Sequence, residues 1–182
     1  AHKWLLVTCF GYLGYKNARF GRIEAHEAVT AYGRDALLRA KEAAEDLDFS
    51  ILHMYVDGLW VHKPGCSKPE DFKPLLDEVA ERTHLPIALD GIYRWVVFLP
   101  SRVNADIPVP NRYFGVFQDG EIKARGIALR RHDTCPFVAE VQWGTLKILA
   151  QANDPHAKVD EAYTFVEQCL RKFKAGKIPL EA

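Results

Sequence analysis

Residues 51–61 constrain the fold of this chain more than any other stretch. An apolar, β-prone run, Ile-Leu-His-Met-Tyr-Val, breaks at Asp57 and Gly58 and resumes at once with Leu-Trp-Val. Two such runs separated by an Asp-Gly pair predict a tight antiparallel hairpin. The Asp57 carboxylate would lie at the tip of this hairpin, where it is a natural ligand for a hard divalent cation. Asp-Gly is also the commonest turn without any function, so a metal role depends on other carboxylates.

Composition and charge indicate an ordinary globular domain rather than a free-standing nucleic-acid binder. The chain has 182 residues, 48% of them hydrophobic, and its 24 Lys+Arg are balanced by 24 Asp+Glu. One domain of this length is expected. Because a nucleic-acid binder usually carries a basic excess, any DNA affinity must come from a local patch and should be weak and sensitive to salt.

The four cysteines are scattered without a C-x-x-C spacing, at positions 9, 66, 135 and 169. This spacing argues against a structural zinc site or a disulfide framework and favours a reduced, cytoplasmic setting. No apolar run approaches the ~18 residues of a membrane span, and no signal peptide is visible. The sequence opens on Ala without a Met, so we expect it to be a piece of a longer protein.

Hydrophobic periodicity predicts an α+β fold with a mainly antiparallel sheet covered by helices. Apolar residues recur at three and four along 22–46, as in an amphipathic helix. Pro69, Pro136 and Pro155 mark the starts of later helices. The predicted elements are a helix at 2–12, a helix at 22–46, strands at 48–56 and 59–63, a helix at 69–84, a β-rich stretch at 86–99, a loop at 101–110, a hairpin of 112–118 and 121–129, and two final helices.

Basic and aromatic residues interleave just after the first predicted helix. Lys16, Arg19 and Arg22 occur among Tyr12, Tyr15 and Phe20, with glycines that allow tight backbone bends. This pattern suits a surface that tracks a nucleic-acid backbone. It equally suits a loop that pins a helix to the sheet.

Five segments occur in an order that carries a family resemblance. Lys-Trp-Leu-Leu-Val-Thr-Cys-Phe-Gly-Tyr-Leu-Gly at 3–14 runs directly into Tyr-Lys-Asn-Ala-Arg-Phe-Gly-Arg-Ile-Glu at 15–24, and the hairpin at 51–61 follows. Much later, Asn-Arg-Tyr-Phe-Gly at 111–115 leads to Arg-His-Asp at 131–133. In that order the segments resemble the end of the fingers and most of the palm of a family B DNA polymerase.

The resemblance implies nucleotide-binding roles for Lys3 and Phe10. The fingers helix of the family carries K-x-x-x-N-S-x-Y-G, whose Lys contacts the incoming triphosphate and whose Tyr lies against the nascent base pair. This chain keeps the Lys as Lys3, has Phe10 for the Tyr, and has Val7 for the Asn. Without the Asn, nucleotide selection is not expected to be intact.

The resemblance also implies a catalytic metal site, in which the aligned carboxylates are Asp57 and Asp90. The family's Y-x-D-x-D motif matches Tyr55 and Asp57, but its second Asp is Leu59, which cannot ligate a metal. The version Asp-x-Leu-Trp looks like that of divergent archaeal and bacterial homologues regarded as inactivated. Mg²⁺ is implied for the parent polymerase, whereas no tight metal binding is expected of this chain.

DNA contacts are implied for Arg112, Tyr113 and Arg131. The first two match the end of the family's K-K-R-Y motif beside the active site, and Arg131 belongs to the R-R-D that follows. A solvated charge run that caps a helix is the alternative interpretation of 130–133. With Lys16, Arg19 and Arg22, these residues would form a weak contact surface for primer-template DNA.

The resemblance divides the predicted single palm-like domain of residues 1–182 into three parts. Residues 1–21 end the fingers, 22–174 form the palm core, and 175–182 enter a thumb. The expected function is that of a catalytically inactive palm fragment with residual primer-template contacts. One alternative is an active polymerase part that uses Asp57 and Asp90 with an upstream Asp. The other is a structural or docking subunit of a replication or repair complex, bound to the remaining polymerase segments or to other proteins.

Overall fold

A computed structural model describes residues 2–178 and confirms the α+β class. The chain divides into two compact units, an N-terminal unit that ends at Ala88 and a C-terminal unit that begins at Leu89. The single palm-like domain over 1–182 stays a prediction, and the end of the thumb entry, 179–182, lies outside the described residues. The elements are α1 (His2–Leu13), α2 (Ile23–Asp46), β1 (Ser50–Tyr55), β2 (Gly58–His62), α3 (Lys73–Thr83), β3 (Tyr93–Pro100), β4 (Pro108–Phe117), β5 (Ile122–Arg125), α4 (Pro136–Leu149) and α5 (Val159–Lys174).

The predicted hairpin is formed by β1 and β2, but its turn lies one residue earlier than the sequence indicates. Tyr55 pairs with Gly58, so that Val56 and Asp57 form the two-residue turn. Gly58 therefore lies within β2, where a Cβ would meet the Trp60 ring at 3.2 Å. Val56 consequently takes a left-handed φ of 53°, which is uncommon for a β-branched residue.

The core of the N-terminal unit lies under the C-terminal half of α2. Ala43 and Ala44 are fully buried where this helix packs against α3 and the β1–β2 hairpin. The predicted apolar face of α2 is only partly buried, because Ile23, Val29 and Tyr32 in its first half remain exposed. Helix α1, which contacts the start of α2, has no buried residue along its described length.

The C-terminal unit holds a three-stranded antiparallel sheet in the order β3-β4-β5. The predicted turn at Asp119 and Gly120 is confirmed, since Gly120 has a left-handed φ of 92° and Asp119 accepts a hydrogen bond from the Glu121 amide at 2.9 Å. The predicted strand bounds differ: β3 starts only at Tyr93, and β4 starts at Pro108, inside the expected loop.

Strand β5 ends at Arg125 rather than at 129, because Gly126 turns the chain away from the sheet. Its φ of 64° is left-handed, and a Cβ at this position would overlap the Asn111 carbonyl oxygen of β4. Only glycine combines that φ with such a close approach. A short 3₁₀ turn, Ala128–Arg130, then leads toward α4.

Helices α4 and α5 begin near the predicted prolines and pack against each other. Pro136 is the first residue of α4, and the Asp154 side chain accepts a hydrogen bond from the His156 amide before a 3₁₀ turn, Pro155–Lys158, that precedes α5. The two helices approach closely at Gly144, where a Cβ would meet the Phe165 ring at 2.5 Å. Trp95 of β3 donates to the Ala152 carbonyl at 3.0 Å, which ties the sheet to the end of α4.

Candidate nucleic-acid interface

Lys3 and Phe10, the predicted nucleotide contacts, lie seven residues apart on α1. Two helical turns separate them, which places them on the same face. Lys3 is exposed, whereas the Phe10 ring is half-buried and stacks on His26 of α2 with ring centroids 4.1 Å apart. Sequence reasoning missed His26, which fixes the Phe10 ring and carries no spacing signal of its own.

A compact bend between α1 and α2 presents the predicted basic and aromatic residues. It is closed by the Arg22 amide, which donates to the Leu13 carbonyl at 3.0 Å. Inside this loop, a Cβ at Gly21 would overlap the Tyr15 carbonyl oxygen, so the chain can fold this tightly only with glycine there. We call its exposed side chains the bend surface: Tyr12, Tyr15, Lys16, Arg19, Phe20 and Arg22.

The bend surface lies in a segment of uncompensated positive charge. Residues 2–23 contain Lys3, Lys16, Arg19 and Arg22 but no Asp or Glu, although the whole chain is neutral. Within the described part of the chain, none of these four cations forms an ion pair with a carboxylate. Four unpaired cations in a stretch without a carboxylate favour an anion at the bend, and the exposed Glu24 and Glu27 at the start of α2 reduce that preference.

The two carboxylates that align with the metal motif belong to different units. Asp57 is exposed in the turn of the N-terminal unit, and Leu59, where the second carboxylate would be, is half-buried opposite Met54. Asp90 is exposed before β3 of the C-terminal unit, and its carboxylate accepts a hydrogen bond from the Lys123 ammonium of β5. This pair could not be predicted from the sequence, because its partners are 33 positions apart.

The side chains of residues 2–178 do not fit the divalent metal that the resemblance implies. No three His, Cys, Asp or Glu side chains within that range come together as a possible metal site. A catalytic pair of divalent ions needs several converging carboxylates. One of the two candidates already binds an ammonium group, and leucine replaces a third donor, so the two aligned carboxylates are too few for such a pair of ions.

Arg112 and Tyr113 are neighbours in the middle of β4, but their side chains differ in burial: Arg112 is half-buried and Tyr113 is buried. Tyr113 is 5% exposed and packs near Phe98, so it supports the core of the C-terminal unit, and a DNA contact through it stays a prediction. The Arg112 stem lies against Gly126, where a Cβ would come within 2.9 Å of its Cγ. The Arg112 Nε is buried and has no hydrogen-bond partner in the described part of the chain.

Arg131, the remaining predicted DNA contact, is held by Asp133. Its Nε and a terminal nitrogen donate to the two Asp133 carboxylate oxygens at 2.9 and 2.6 Å. The hydrogen bonds to Asp133 raise the pKa of the Arg131 guanidinium, and the same bonds lower the pKa of the Asp133 carboxyl. Both side chains remain exposed, so a phosphate could replace the carboxylate only by competing with it.

The C-terminal unit also has an open groove of about 760 Å³ between β5 and α4 that the sequence did not indicate. Its walls carry charges of both signs, which include Arg125 and Arg130 opposed by Glu121 and Glu140. Trp143 of α4 lines the same groove, with the Lys147 ammonium 5.6 Å from its ring centre. A groove with balanced charges gives no preference for an anion.

Proteins that carry the name DNA polymerase are similar to nearly the whole of this chain, whereas no family model matches it. A DNA polymerase of Archaeoglobus fulgidus is 28% identical over 179 residues, which cover 98% of this chain and 21% of the relative. DNA polymerase 2 of Saccharolobus solfataricus is 38% identical over 127 residues, 70% of this chain and 19% of the relative. DNA polymerase 2 of Aeropyrum pernix is 29% identical over 180 residues, which cover 99% of this chain and 20% of the relative.

These relatives define the class to which the chain is similar, that of archaeal DNA polymerases. The chain spans about a fifth of the length of the curated relatives it matches. Across residues 2–178, no helix is both long and apolar enough to cross a membrane.

Proposed function

We propose that this chain is the palm-centred part of a family B DNA polymerase homologue, that it contacts primer-template DNA, and that it does not extend a primer by itself. The observation that carries the proposal is the similarity to archaeal DNA polymerases along nearly the entire chain. The order of motifs and the α+β architecture with antiparallel sheets agree with a palm.

The proposed DNA contact depends on cations that a phosphate can reach. Lys16, Arg19 and Arg22 are exposed in the bend and have no carboxylate partner among residues 2–178, so a phosphate would not displace an ion pair described there. Arg131 must exchange Asp133 for phosphate, which reduces its contribution. We therefore expect about three or four phosphate contacts on duplex DNA and a log–log salt slope of roughly −3 to −4.

The proposed inactivity depends on the missing donors of the metal motif. Leu59 offers no oxygen, and Asp90 is neutralised by Lys123. Two-metal phosphoryl transfer needs carboxylates that hold both ions beside the attacking and leaving oxygens. A chain that lacks such a set leaves the primer unextended.

Two measurements on the 182-residue chain test the proposal. In primer extension with Mg²⁺ or Mn²⁺, we expect no product above a reaction without protein, while an active polymerase added to the same mixture extends the primer. Template-dependent incorporation by the chain would contradict the proposed inactivity. In salt titrations with labelled primed duplex, Arg22→Ala should flatten the slope by about 0.9, and Arg102→Ala, an exposed loop control, should leave it unchanged.

Binding that ignores salt, or no binding at millimolar protein in low salt, would contradict the DNA contact. The docking-subunit alternative would then be favoured. It would draw on the exposed apolar side chains of α1, which include Trp4, Leu5 and Leu6.

A further inference from the structure

We propose that the bend surface binds single-stranded DNA, with its aromatic rings stacked on unpaired bases and its cations on the phosphates. This inference rests on the proposed DNA contact and specifies which form of DNA this site takes. Its starting point is that three large rings in nine consecutive positions are displayed to solvent: Tyr12 is 58% exposed, Tyr15 56% and Phe20 78%.

The local backbone holds these rings and the cations in one small area. The Ala18 amide donates to the Tyr15 carbonyl at 3.0 Å, and the Gly21 amide donates to Ala18 at 2.9 Å. Together with the hydrogen bond from the Arg22 amide to the Leu13 carbonyl, these contacts fold the segment into successive tight turns. Rings and cations that alternate along the sequence are therefore also neighbours in space.

Phe20 and Arg19 form the clearest pair of complementary groups. The Arg19 guanidinium lies 5.6 Å from the centre of the Phe20 ring, within the range of a cation–π contact. A ring beside a guanidinium offers a stacking partner for a base next to a charge for its phosphate. Surfaces that bind single strands without sequence preference combine these two kinds of group.

The rings distinguish a single strand from a duplex. In a duplex the base faces are stacked on each other, and side chains reach only base edges and phosphates. Tyr12, Tyr15 and Phe20 therefore gain stacking contacts only from unpaired bases. The cations alone would favour any polyanion, so the rings supply the preference.

The charge of the segment argues against an apolar protein surface as the occupant. An apolar protein surface laid over the bend would remove Lys16, Arg19 and Arg22 from water without giving them a carboxylate from this segment. Burial of unpaired charges is strongly unfavourable. A polyanion that also has flat apolar faces matches both features.

The test measures binding of the full chain to a labelled 20-nucleotide oligo-dT and to a labelled 20-base-pair duplex. Phe20→Ala and Tyr15→Ala should each weaken binding to the oligo-dT by about 5- to 100-fold, leave duplex binding unchanged and keep the salt slope. Arg19→Gln should flatten the slope on the single strand by about 0.7. Tyr163→Ala removes a ring that is similarly exposed on α5, and it should have no effect.

A second variant alters the bend without removing any ring or cation. Gly21→Ala places a Cβ against the Tyr15 carbonyl oxygen and should weaken oligo-dT binding in the same way as the ring variants. Gly33→Ala is the matched control, because no atom of the described residues lies within 4 Å of its added Cβ in α2. Thermal melts that match the parent chain show that Phe20→Ala and Tyr15→Ala remain folded.

The outcomes separate this inference from the function on which it rests. Equal losses on oligo-dT and duplex, or ring variants that bind oligo-dT normally, would overturn the single-strand site while leaving the proposed duplex contact intact. The same holds if the chain binds primed duplex and ignores oligo-dT. If the chain binds neither, the proposed DNA contact itself fails.

Discussion

The Lys123 ammonium group donates to the Asp90 carboxylate and at the same time lies 5.5 Å from the centre of the Phe117 ring. The Lys123 side chain is 21% exposed, whereas that of Asp90 is 72% exposed. A divalent ion at Asp90 would have to compete with this internal cation for the carboxylate oxygens that such ions prefer. The pair therefore opposes the metal role that the family resemblance assigns to Asp90.

A double-mutant cycle measures how strongly Lys123 holds Asp90. With Lys123→Met, Asp90→Asn and the double variant, we expect a coupling free energy of about 0.2–1 kcal/mol in denaturant unfolding. The coupling should shrink in 1 M salt, where the Debye length falls to ~3 Å. The same cycle on Lys73 and Asp77, an ion pair with both side chains exposed, should give a smaller value. No coupling at Lys123 would mean that Asp90 is available to other cations.

Restoring the missing carboxylate at Leu59 should cost stability before it gains any metal affinity. Leu59 is half-buried within β2, so Leu59→Asp should lower the free energy of unfolding by about 1–3 kcal/mol. Leu59→Asn is the control, because asparagine has the shape of aspartate without its charge. If Asp57 and the new carboxylate share an ion, Mn²⁺ should raise the melting temperature of Leu59→Asp alone. Equal effects of Mn²⁺ on both variants would contradict a metal site shared by positions 57 and 59.

Features of the fold set by neighbouring residues could be predicted from the sequence. The turn at Asp119 and Gly120 closes through hydrogen bonds among Phe117, Gly120 and Glu121, and so the local residues determine it. The start of α4 at Pro136 is determined in the same way, because Pro suits the first helical position.

Features set by distant partners could not be predicted. The hairpin turn lies at Val56 and Asp57, and Gly58 lies within the ladder beside the Trp60 ring. An Asp-Gly pattern carries no information about that packing. Of the candidate site, the basic and aromatic composition of the bend was visible in the sequence. The Asp90–Lys123 pair and the stack of Phe10 on His26 depend on tertiary structure and were not.

Gly126 is expected to be intolerant of any side chain, since it has both a left-handed φ and a close backbone neighbour. Gly126→Ala should lower the free energy of unfolding by more than about 2 kcal/mol, because a φ of 64° is strained for alanine and its Cβ overlaps the Asn111 carbonyl oxygen. Gly120→Ala separates the two causes: its φ is 92°, but within residues 2–178 no atom lies within 4 Å of the added Cβ, so a loss of only about 1 kcal/mol is expected. Equal losses in urea unfolding would mean that the backbone approach contributes nothing.

Removing the carboxylate that holds Arg131 should strengthen DNA binding. Asp133→Asn frees the Arg131 guanidinium for phosphate, so the chain should bind primed duplex more tightly at low salt, with a salt slope steeper by up to about 0.9.

Protonation of Asp133 has the same effect in the parent chain. Because Arg131 lowers the pKa of Asp133, the pair persists at neutral pH and is lost only as the pH falls through that depressed pKa. The gain in affinity of Asp133→Asn over the parent chain should therefore be constant from neutral to mildly acidic pH. It should vanish only in stronger acid, where Asp133 of the parent chain is itself protonated. Asp77→Asn makes the same change in net charge at Lys73 and is the control. A gain of similar size in that control would mean that net charge, rather than release of Arg131, determines the affinity.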